Sequence, residues 1–306
     1  MDRLQRMRAF VATAEAGSFT AAADRVGASG KVVSKHVGEL EAELGVRLLH
    51  RTTRKLSLTD AGARYLEGAR GILDRIEELE ASLGGDEGAL RGRLRLSAPS
   101  TFGELHMPRI LAAFRQVHPG VEIDLRLSDR FVDLAEDGFD LALRIGALPD
   151  SRLVARRLAR TELWVVAAPD FIAGHGTPET PEDLASLPAV HDANLRTGRG
   201  WPFVVAGQTR RIAITASVTV DSARAVAELA SQGEGVALCP DYVTASMIER
   251  GELVRLLPDH ASLSLDIHTV FLDGRLLAAR TRAMIEHLAA SLCDPVDWTR
   301  LAAAIP

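Results

Sequence analysis

Apolar residues recur at helical spacing near the start of the chain, and glycines interrupt the pattern. A first amphipathic helix is predicted to end at Gly17, and Ser18 or Thr20 can cap a second, alanine-rich helix that ends at Gly27. Ser29 can cap a third helix, which ends at Gly45. The apolar positions that define the first and third helices are Leu4, Met7, Phe10, Val11 and Ala14, then Val33, Val37, Leu40 and Leu44.

The second and third predicted helices are separated by a short glycine-containing turn, which is typical of a helix-turn-helix unit. If Val33, Val37 and Leu40 face the interior, the polar residues of the first turns face outwards, where a recognition helix contacts bases and phosphates. A solvated basic face without a partner is the alternative. The residues predicted to meet DNA here are Ser29, which also caps the helix, Gly30, Lys31, Ser34 and Lys35.

The next segment alternates apolar and polar residues over Leu56 and Leu58, as a short β-ribbon does. Arg51, Arg54 and Lys55 cluster at its tip. A basic ribbon beside a recognition helix is a wing, suited to phosphates or a narrow minor groove. A solvated loop is the competing interpretation of the same cluster.

A longer helical pattern begins after Thr59, which is a candidate N-cap. Small and apolar residues repeat along it with heptad spacing, which predicts a dimerising coiled-coil seam. Packing of the helix on its own head is the alternative. Gly62 opens the repeat, and the other seam positions are Tyr65, Ala69, Ile72, Ile76, Leu79 and Leu83.

The remainder of the chain alternates between strand and helix patterns, which predicts a parallel sheet with crossover helices. The strand segments are RLRLSA, VEIDLRL, FDLALRIG, TELWVVAAP, VALCP and IHTVFLDG. Between the first two strands, STFGELHMPRILAAFRQVHPG predicts a single helix, and LLAARTRAMIEHLAASL predicts a closing one.

Charge is distributed unevenly over the 306 residues, whose formal net charge is −5. Residues 1–65 hold 11 Lys and Arg against 7 Asp and Glu, and the remainder holds 25 against 34. A basic head on an acidic body indicates that the head alone meets a polyanion.

Several classes of protein are disfavoured by the sequence. No apolar run is long enough to span a bilayer, and no signal peptide is apparent, so we expect a cytoplasmic protein without membrane contact. Gly30-Lys31 lacks the preceding glycine and following hydroxyl of a phosphate-binding loop. No histidine or cysteine pair has metal-ligand spacing and no nucleophile elbow appears, so we predict no metal site, cofactor or catalytic residue. Cys239 and Cys293 are expected to be small buried residues.

The head resembles the winged helix-turn-helix of LysR-type transcriptional regulators. The motifs that carry this resemblance are GSFTAAA, the Ser34-Lys35 pair, LEAELGVRLLHRTTR and LSLTDAG. The body resembles the effector domain of the same family, through SAPSTFG, LSDRFVDLAEDGFDLALRIGALPDS, VVAAPDFI, GEGVALCPDYV and GELVRLLPD. Gly30-Lys31 stands where the family often has Gln-Pro, so no operator sequence is transferred.

The resemblance implies an α/β effector domain of two lobes, of the type 2 periplasmic-binding-protein-like fold, preceded by an all-α winged helix-turn-helix and a long linker helix. The implied divisions are a DNA-binding domain at 1–59, a dimerising linker helix at 60–84 and a hinge at 85–92. The effector-binding domain then occupies 93–293 and a tail 294–306. The first lobe is predicted at about 93–162 and 269–293, and the second at about 163–268.

The implied function is sequence-specific transcriptional regulation, in which a small molecule bound between the lobes modulates binding to double-stranded DNA. Homodimers or dimers of dimers are the expected assemblies, and RNA polymerase is a further candidate partner. Because ligands in open α/β sheets bind beyond the carboxyl ends of strands, the predicted effector-binding residues are Ser100, Thr101, Gly146, Asn194, Arg196 and Ser222. Arg196 could pair with a carboxylate, so a carboxylate is one candidate effector class.

Two other functions are compatible with the same residues. The chain could be a cytoplasmic solute-binding protein with a non-functional head, which would bind ligand tightly and show no salt-dependent binding to DNA. It could also be a thiol redox-sensing regulator that acts through Cys239, which would require a lowered thiol pKa.

Overall fold

The fold is taken from a computed structural model. It describes residues 2–51, 56–83, 90–130, 134–148, 153–195, 197–205, 208–260, 262–272, 277–292 and 296–298. Arg54, Lys55, Arg196 and Cys293, singled out above, lie outside these residues, as do 84–89 of the predicted hinge and most of the predicted tail.

Three helices form the head, namely α1 (Arg3–Ala16), α2 (Phe19–Val26) and α3 (Gly30–Leu44). Each predicted glycine stop has a left-handed backbone, which a residue without a Cβ adopts at least cost; φ is 63° at Gly17 and 65° at Gly27. Ser18, and not Thr20, caps α2 by accepting from the Ala21 N–H at 3.1 Å. Ser29 caps α3 by accepting from the Val32 N–H at 3.4 Å.

The head has its own apolar core, to which all three helices contribute. Val33, Val37 and Leu40 are completely buried, so the face of α3 predicted to point inward does so. They pack with Phe10 of α1 and Ala22 of α2, and the small side chain at Ala22 lets the helices approach closely.

A two-stranded antiparallel ribbon follows, made of β1 (Leu49–Arg51) and β2 (Leu56–Leu58). The long helix α4 (Asp60–Leu83) then begins. Thr59 caps it as predicted, since its hydroxyl accepts from the Gly62 N–H at 2.9 Å while donating to the Arg47 carbonyl at 2.8 Å. The N-cap therefore also ties the start of α4 to the chain before the ribbon.

The body contains a nine-stranded sheet in which β4, β3, β5, β13, β6, β11, β7 and β10 are neighbours in that order, with β12 pairing β6 at the side. A separate hairpin consists of β8 and β9. The strands are β3 (Gly92–Ala98), β4 (Val121–Leu127), β5 (Leu141–Ile145), β6 (Val154–Ala167), β7 (Pro188–Asp192), β8 (Gly200–Val205), β9 (Gln208–Ala213), β10 (Thr215–Val220), β11 (Val236–Pro240), β12 (Val254–Leu256) and β13 (Ser264–Phe271).

Helices connect these strands and cover the sheet, and their apolar faces form the body's core with it. They are α5 (Ser100–Leu105), α6 (Met107–Val117), α7 (Leu134–Asp137), α8 (Pro169–His175), a 3-10 helix (Pro181–Ser186), α9 (Ala223–Ser231), α10 (Asp241–Glu249) and α11 (Ala279–Ser291).

The sheet is mixed, whereas the alternating pattern predicted a parallel one. The two outer groups, β3 with β4 and β5, and β7 with β10 and β11, are parallel. The central strands β6 and β13 pair antiparallel with each other and with their neighbours. These two strands lie at the centre of the sheet. The strand-helix pattern of the sequence is local, so it carries no information on the direction in which they run.

Pairing along β6 divides the body into two lobes. Residues 154–162 pair with β13 in the first half of the sheet, and residues 163–167 pair with β11 and β12 in the second. Ser264 pairs with Glu162, so β13 belongs to the first half of the sheet from its first residue, and the predicted lobe bounds stay predictions. The architecture otherwise agrees with the predicted fold class, an α/β domain of two lobes behind a helical head.

The segment predicted as one helix between β3 and β4 is two helices, with His106 between α5 and α6. Pro108 lies in the first turn of α6. Proline has no N–H to donate and its ring clashes with the preceding turn, so it is tolerated at a helix start and not in an interior. The sequence contained this signal, and the single-helix prediction was wrong.

None of the helices in the described part of the chain is both long enough and apolar enough to cross a bilayer.

Candidate functional site

The outward face of α3 carries the basic side chains predicted to meet DNA. Lys31 and Lys35 are exposed on the side of the helix away from Val33. Gly30 and Ser34 are half-buried, and Gly30 faces the start of α2. The Lys35 side chain is 69% exposed, and its Nζ lies 3.8 Å from Glu39 Oε1 on the next turn. An ion pair this exposed contributes little and leaves the ammonium free to exchange partners.

Acidic residues farther along α3 are bound by α1. Arg6 lies 3.2 Å from Glu39 and 2.8 Å from Glu43, and Arg3 lies 3.4 Å from Glu43. These contacts partly neutralise the carboxylates at the end of α3 remote from Lys31. The exposed first turns of the helix therefore present net positive charge.

The ribbon is held against the head by a buried carboxylate. Glu41 Oε1 accepts from the backbone N–H groups of Leu48 and Leu49, at 2.8 and 3.1 Å. Leu49 pairs with Leu58, and Arg51, which ends β1, pairs with Leu56 at the tip of the described ribbon. The two other basic residues predicted for the wing lie in 52–55, outside the described residues.

One face of α4 packs on its own head. Leu66 and Ala69 are almost fully buried, and the Tyr65 ring meets the Phe10 ring edge-on with centroids 5.5 Å apart. A Cβ on Gly62 would lie 2.0 Å from the Leu48 carbonyl oxygen. The small residues early in the helix thus allow close approach to the chain's own ribbon.

The predicted dimer seam, which stays a prediction, shares residues with this packing. Ala69 is 2% exposed, so it has almost no surface left to bury against a second chain. The Tyr65 ring already packs against Phe10. Ile72 and Leu79 are 46% and 63% exposed. Ile76 is half-buried, and the Leu83 side chain lies outside the described set. The apolar residues of α4 occupy more than one face. One face packs on the chain's own head, and another remains exposed.

The body has a cleft of about 160 Å³ between its two lobes. Residues from the carboxyl ends of several strands and from the adjacent helices line it: Pro99, Thr101, Ser128, Asp129, Arg144, Ile145, Asp192, Asn194, Leu195, Ala223, Pro240, Tyr242 and Leu265. Both lobes contribute, since β4 and β5 belong to the first and β7 and β11 to the second.

Arg144 is the buried cation of this cleft. It is 6% exposed, and its guanidinium donates to the Leu143 carbonyl at 2.7 Å and to the Ser97 hydroxyl at 2.9 Å. Burial lowers the pKa of Arg144, and the charge of Asp129 opposes that effect. The guanidinium remains charged because its ordinary pKa is far above neutrality.

Asp192 is the buried acid on the opposite lobe. It ends β7, is 5% exposed and accepts from the Asn194 N–H at 2.9 Å. Burial raises the pKa of Asp192 to about 6, with the charges of Asp129 and Asp221 adding to the rise and the Asn194 N–H opposing it. The carboxyl group is therefore poised to respond to a nearby cation.

The structure brings some of the predicted effector-binding residues together. Thr101 and Asn194 line the cleft. Ser100 neighbours it, and its N–H donates to Asp129 at 3.1 Å. Gly146 follows a lining residue with a left-handed backbone, and Ser222 caps α9 by accepting from the Ala225 N–H at 3.4 Å. The sixth, Arg196, lies outside the described residues.

The polar residues of the cleft that sequence reasoning missed include Asp129, Arg144, Asp192 and Tyr242. The rule that ligands bind beyond the carboxyl ends of strands could have found two of them. Asp129 follows β4 and Asp192 ends β7. Neither Arg144, which lies inside a strand, nor Tyr242, which lies on α10, has such a local signal.

Cys239 does not have the environment of a redox sensor. It is fully buried in β11, and burial together with the charge of Asp192 raises the pKa of its thiol. Reactive cysteines require the opposite shift and access to solvent. This environment gives the redox-sensing alternative no support. Within the described ranges, no His, Cys, Asp and Glu side chains are grouped as a metal ion would need.

Comparison with known proteins agrees with this architecture. Residues 4–63 match the family model "Bacterial regulatory helix-turn-helix protein, lysR family", and residues 87–293 match "LysR substrate binding domain". An uncharacterised HTH-type transcriptional regulator of Haemophilus influenzae is 35% identical over 277 residues, covering 90% of this chain and 96% of that protein. The regulator PtxR of Pseudomonas aeruginosa is 35% identical over 285 residues, covering 93% and 91%.

Solved structures show the same likeness. CrgA, a LysR-type transcriptional regulator from Neisseria meningitidis, superposes with a TM-score of 0.62 at 30% sequence identity, covering 95% of this chain and 99% of that one.

Proposed function

The chain belongs to the LysR family of bacterial transcriptional regulators, and from this premise we propose how it acts. Its head binds two half-sites of an operator as part of a dimer. Its interlobe cleft binds a small-molecule effector that changes the affinity or geometry of that binding. The family is one of transcriptional regulators, so no side chain is assigned a catalytic role, and the DNA that the head binds implies a location in the cytoplasm.

One observation carries the DNA-binding proposal. Burial of Val33, Val37 and Leu40 turns the first turns of α3 outward, so that Lys31 and Lys35 are exposed beside a buried core. A helix that enters the major groove needs this division, with an apolar side fixed by the head and a basic side free for phosphates and bases. The two chains of a dimer would then place two such helices on adjacent half-sites.

The effector proposal rests on the cleft. Two lobes linked by β6 and β13 enclose polar groups from each side, and a small molecule that binds both favours a closer approach of the lobes. The head and body meet through α4, which contacts α1 of the head and α7 of the body. A change in the lobes can therefore reach the head through α4, which couples the two sites. Contact with RNA polymerase would be a later step of the same function.

Salt-dependent binding tests the DNA-binding proposal. The probe is duplex DNA selected from a random pool by the full-length protein, and fluorescence anisotropy gives its affinity over a range of salt concentrations. Lys31→Ala and Lys35→Ala should each weaken binding and reduce the slope of log K against log salt by about one, because each removes one phosphate contact.

Arg115→Ala is the matched control, since it removes one exposed positive charge from α6 of the body. It should leave the affinity and the salt slope unchanged. Equal effects of all three substitutions, or no selection of DNA by the intact protein, would contradict the proposal. The latter result together with ligand binding would instead support a solute-binding protein.

A further inference from the structure

The interlobe cleft contains a buried positive charge, Arg144, on which the charge of Asp129 acts only from beyond ion-pair distance. The Arg144 guanidinium donates to three neutral oxygens, the third being the Arg130 carbonyl at 3.4 Å. Within the part of the chain that the structure describes, no carboxylate lies at ion-pair distance from it. Neutral acceptors offset the loss of hydration only partly, so a carboxylate brought by a ligand would be strongly favoured here.

The cleft also contains two carboxyl groups, one on each lobe. Asp192 accepts from the Asn194 N–H, and Asp129 of the first lobe accepts from the Ser100 N–H. Among the described residues, neither carboxylate has a Lys, Arg or His at ion-pair distance. The two carboxyl groups belong to different lobes, and their charges act on each other across the cleft. Repulsion of like charges opposes closure until a cation lies between them.

We propose that the effector is a small zwitterion whose carboxylate binds Arg144 and whose basic nitrogen binds between Asp192 and Asp129. The inference rests on the proposed effector-binding function and names the chemical class that the cleft accepts. The basic nitrogen bridges carboxylates of both lobes, so it replaces repulsion with attraction and stabilises lobe closure. This step would link recognition of the ligand to the conformational change.

The size of the cleft limits the ligand. Its volume of about 160 Å³ is below the roughly 300–1,000 Å³ typical of sites for drug-sized molecules. Apolar contacts come from Pro99, Ile145, Leu195 and Leu265. This volume suits a molecule of amino-acid size. An anion alone would leave the two acids unmatched, and a cation alone would leave Arg144 unmatched.

Calorimetric titration of the full-length protein with matched probes tests the ligand class. The panel contains the twenty standard amino acids, together with β- and γ-amino acids. For each one that binds, two analogues are added, the amide that lacks the carboxylate and the carboxylic acid that lacks the nitrogen. The zwitterion should bind at least tenfold more tightly than either analogue. Equal binding by one analogue, or no binding by any amino acid at about 10 mM, would overturn the proposal.

A conservative variant tests the role of the acid. Asp192→Asn keeps the shape of the side chain and the acceptor for the Asn194 N–H, and removes the charge. It should weaken binding of the zwitterion at least tenfold and leave the affinity for the carboxylic acid that lacks the nitrogen unchanged. Asp170→Asn, which removes an exposed charge from α8, is the control and should change neither affinity. Equal weakening of both probes by Asp192→Asn would indicate a disturbed cleft and would count against a direct contact.

Failure of this inference differs from failure of the proposed function. If no zwitterion binds while DNA binding stays salt-dependent and sensitive to Lys31→Ala, the ligand class is wrong and the regulator assignment stands. If a zwitterion binds with the expected selectivity while DNA binding is absent, the chemistry of the cleft stands and the proposed regulation fails.

Discussion

The carboxyl group of Asp192 lies at the end of β7, where the Asn194 N–H donates to one of its oxygens. Burial and the nearby charges of Asp129 and Asp221 make the ionised form costly there, and these groups share the cleft region with Tyr242 and the buried Cys239. At the scale of single residues, a buried carboxyl group without a cation lowers the free energy of unfolding, and a bound cation would restore it. The same group therefore gives a prediction about stability and pH.

The pKa of Asp192 in the folded protein, about 6, exceeds its ordinary value of 3.8. The folded state thus holds the proton more tightly than the unfolded chain. The free energy of unfolding therefore falls as pH rises from about 4 to about 6. Above pH 6 the ionised Asp192 lowers it by up to about 3 kcal/mol. Asp192→Asn should therefore be more stable than the wild type at pH 7 and nearly equal to it at pH 4.

Urea unfolding monitored by circular dichroism at both pH values measures this difference. The difference between the unfolding free energies of the two proteins cancels the contributions of the titratable groups that both contain. A difference between wild type and Asp192→Asn that does not change with pH would show that this carboxyl group is not the titrating one.

Single elements of this protein are placed by contacts at particular positions, and α4 is the clearest case. Its start is fixed by the Thr59 cap, and its first turn passes so close to the ribbon that Gly62 has no room for a Cβ beside Leu48. Farther along, Leu66 packs in the head core, whereas Leu79 is exposed. The helix thus stabilises its own head at one end and has an exposed apolar side chain toward the other.

A glycine pair on α4 tests the close approach. Gly62→Ala would place a Cβ 2.0 Å from the Leu48 carbonyl oxygen, which is backbone and cannot move aside cheaply. We expect a loss of about 2 kcal/mol in unfolding free energy. Gly68→Ala, on the same helix with nothing within 4 Å of the new Cβ, should instead stabilise by up to about 1 kcal/mol. Similar melting temperatures for the two variants would contradict the packing described.

The exposed apolar residues of α4 give a prediction about assembly. Leu79→Lys should weaken dimer formation at least tenfold, because a charge in a coiled-coil seam opposes burial of that position. Val204→Lys, which replaces a 44% exposed apolar residue on β8, is the control. Sedimentation velocity over a range of protein concentrations measures both. If Leu79→Lys left the dimer unchanged, this part of α4 would not belong to the dimer interface.

At the scale of the whole molecule, the two lobes are joined by the shared strands β6 and β13 and also by an aromatic cluster. Phe102 of α5 and His106, which follows it, belong to the first lobe, and Tyr242 of α10 belongs to the second. Trp298, near the end of the chain, packs against all three, with ring centroids 6.2, 5.5 and 5.8 Å away. Since Tyr242 also lines the cleft, Trp298 packs against a residue of the cleft wall.

Removal of this ring should loosen the contact between the lobes. Trp298 is 6% exposed, so Trp298→Ala should cost about 3 kcal/mol of stability. Trp298→Phe keeps an aromatic ring and loses the hydrogen bond to Asp241, so it should cost less than about 1.5 kcal/mol. Denaturant unfolding of the full-length variants distinguishes these outcomes, and an Ala variant as stable as the wild type would show that the ring does not join the lobes.

Local hydrogen bonds and periodic apolar positions were sufficient to predict much of the molecule from its sequence. The caps at Ser29 and Thr59 and the glycine stops at Gly17 and Gly27 act over one helical turn, so neighbouring residues determine them. Burial of one face of α3, and the alternation of strands with helices in the body, follow from patterns only a few residues long. The family resemblance extended this local information to two lobes and a cleft.

Only the tertiary structure decided which distant residues meet. The antiparallel direction of β6 and β13, and the packing of Ala69 on its own head, depend on partners far away along the chain. The cleft joins Asp129, Arg144 and Asp192 from three different strand ends or interiors, and each becomes a candidate ligand contact through burial and proximity. Sequence patterns report the neighbours of a residue along the chain, whereas the charge balance of a cleft depends on its neighbours in space.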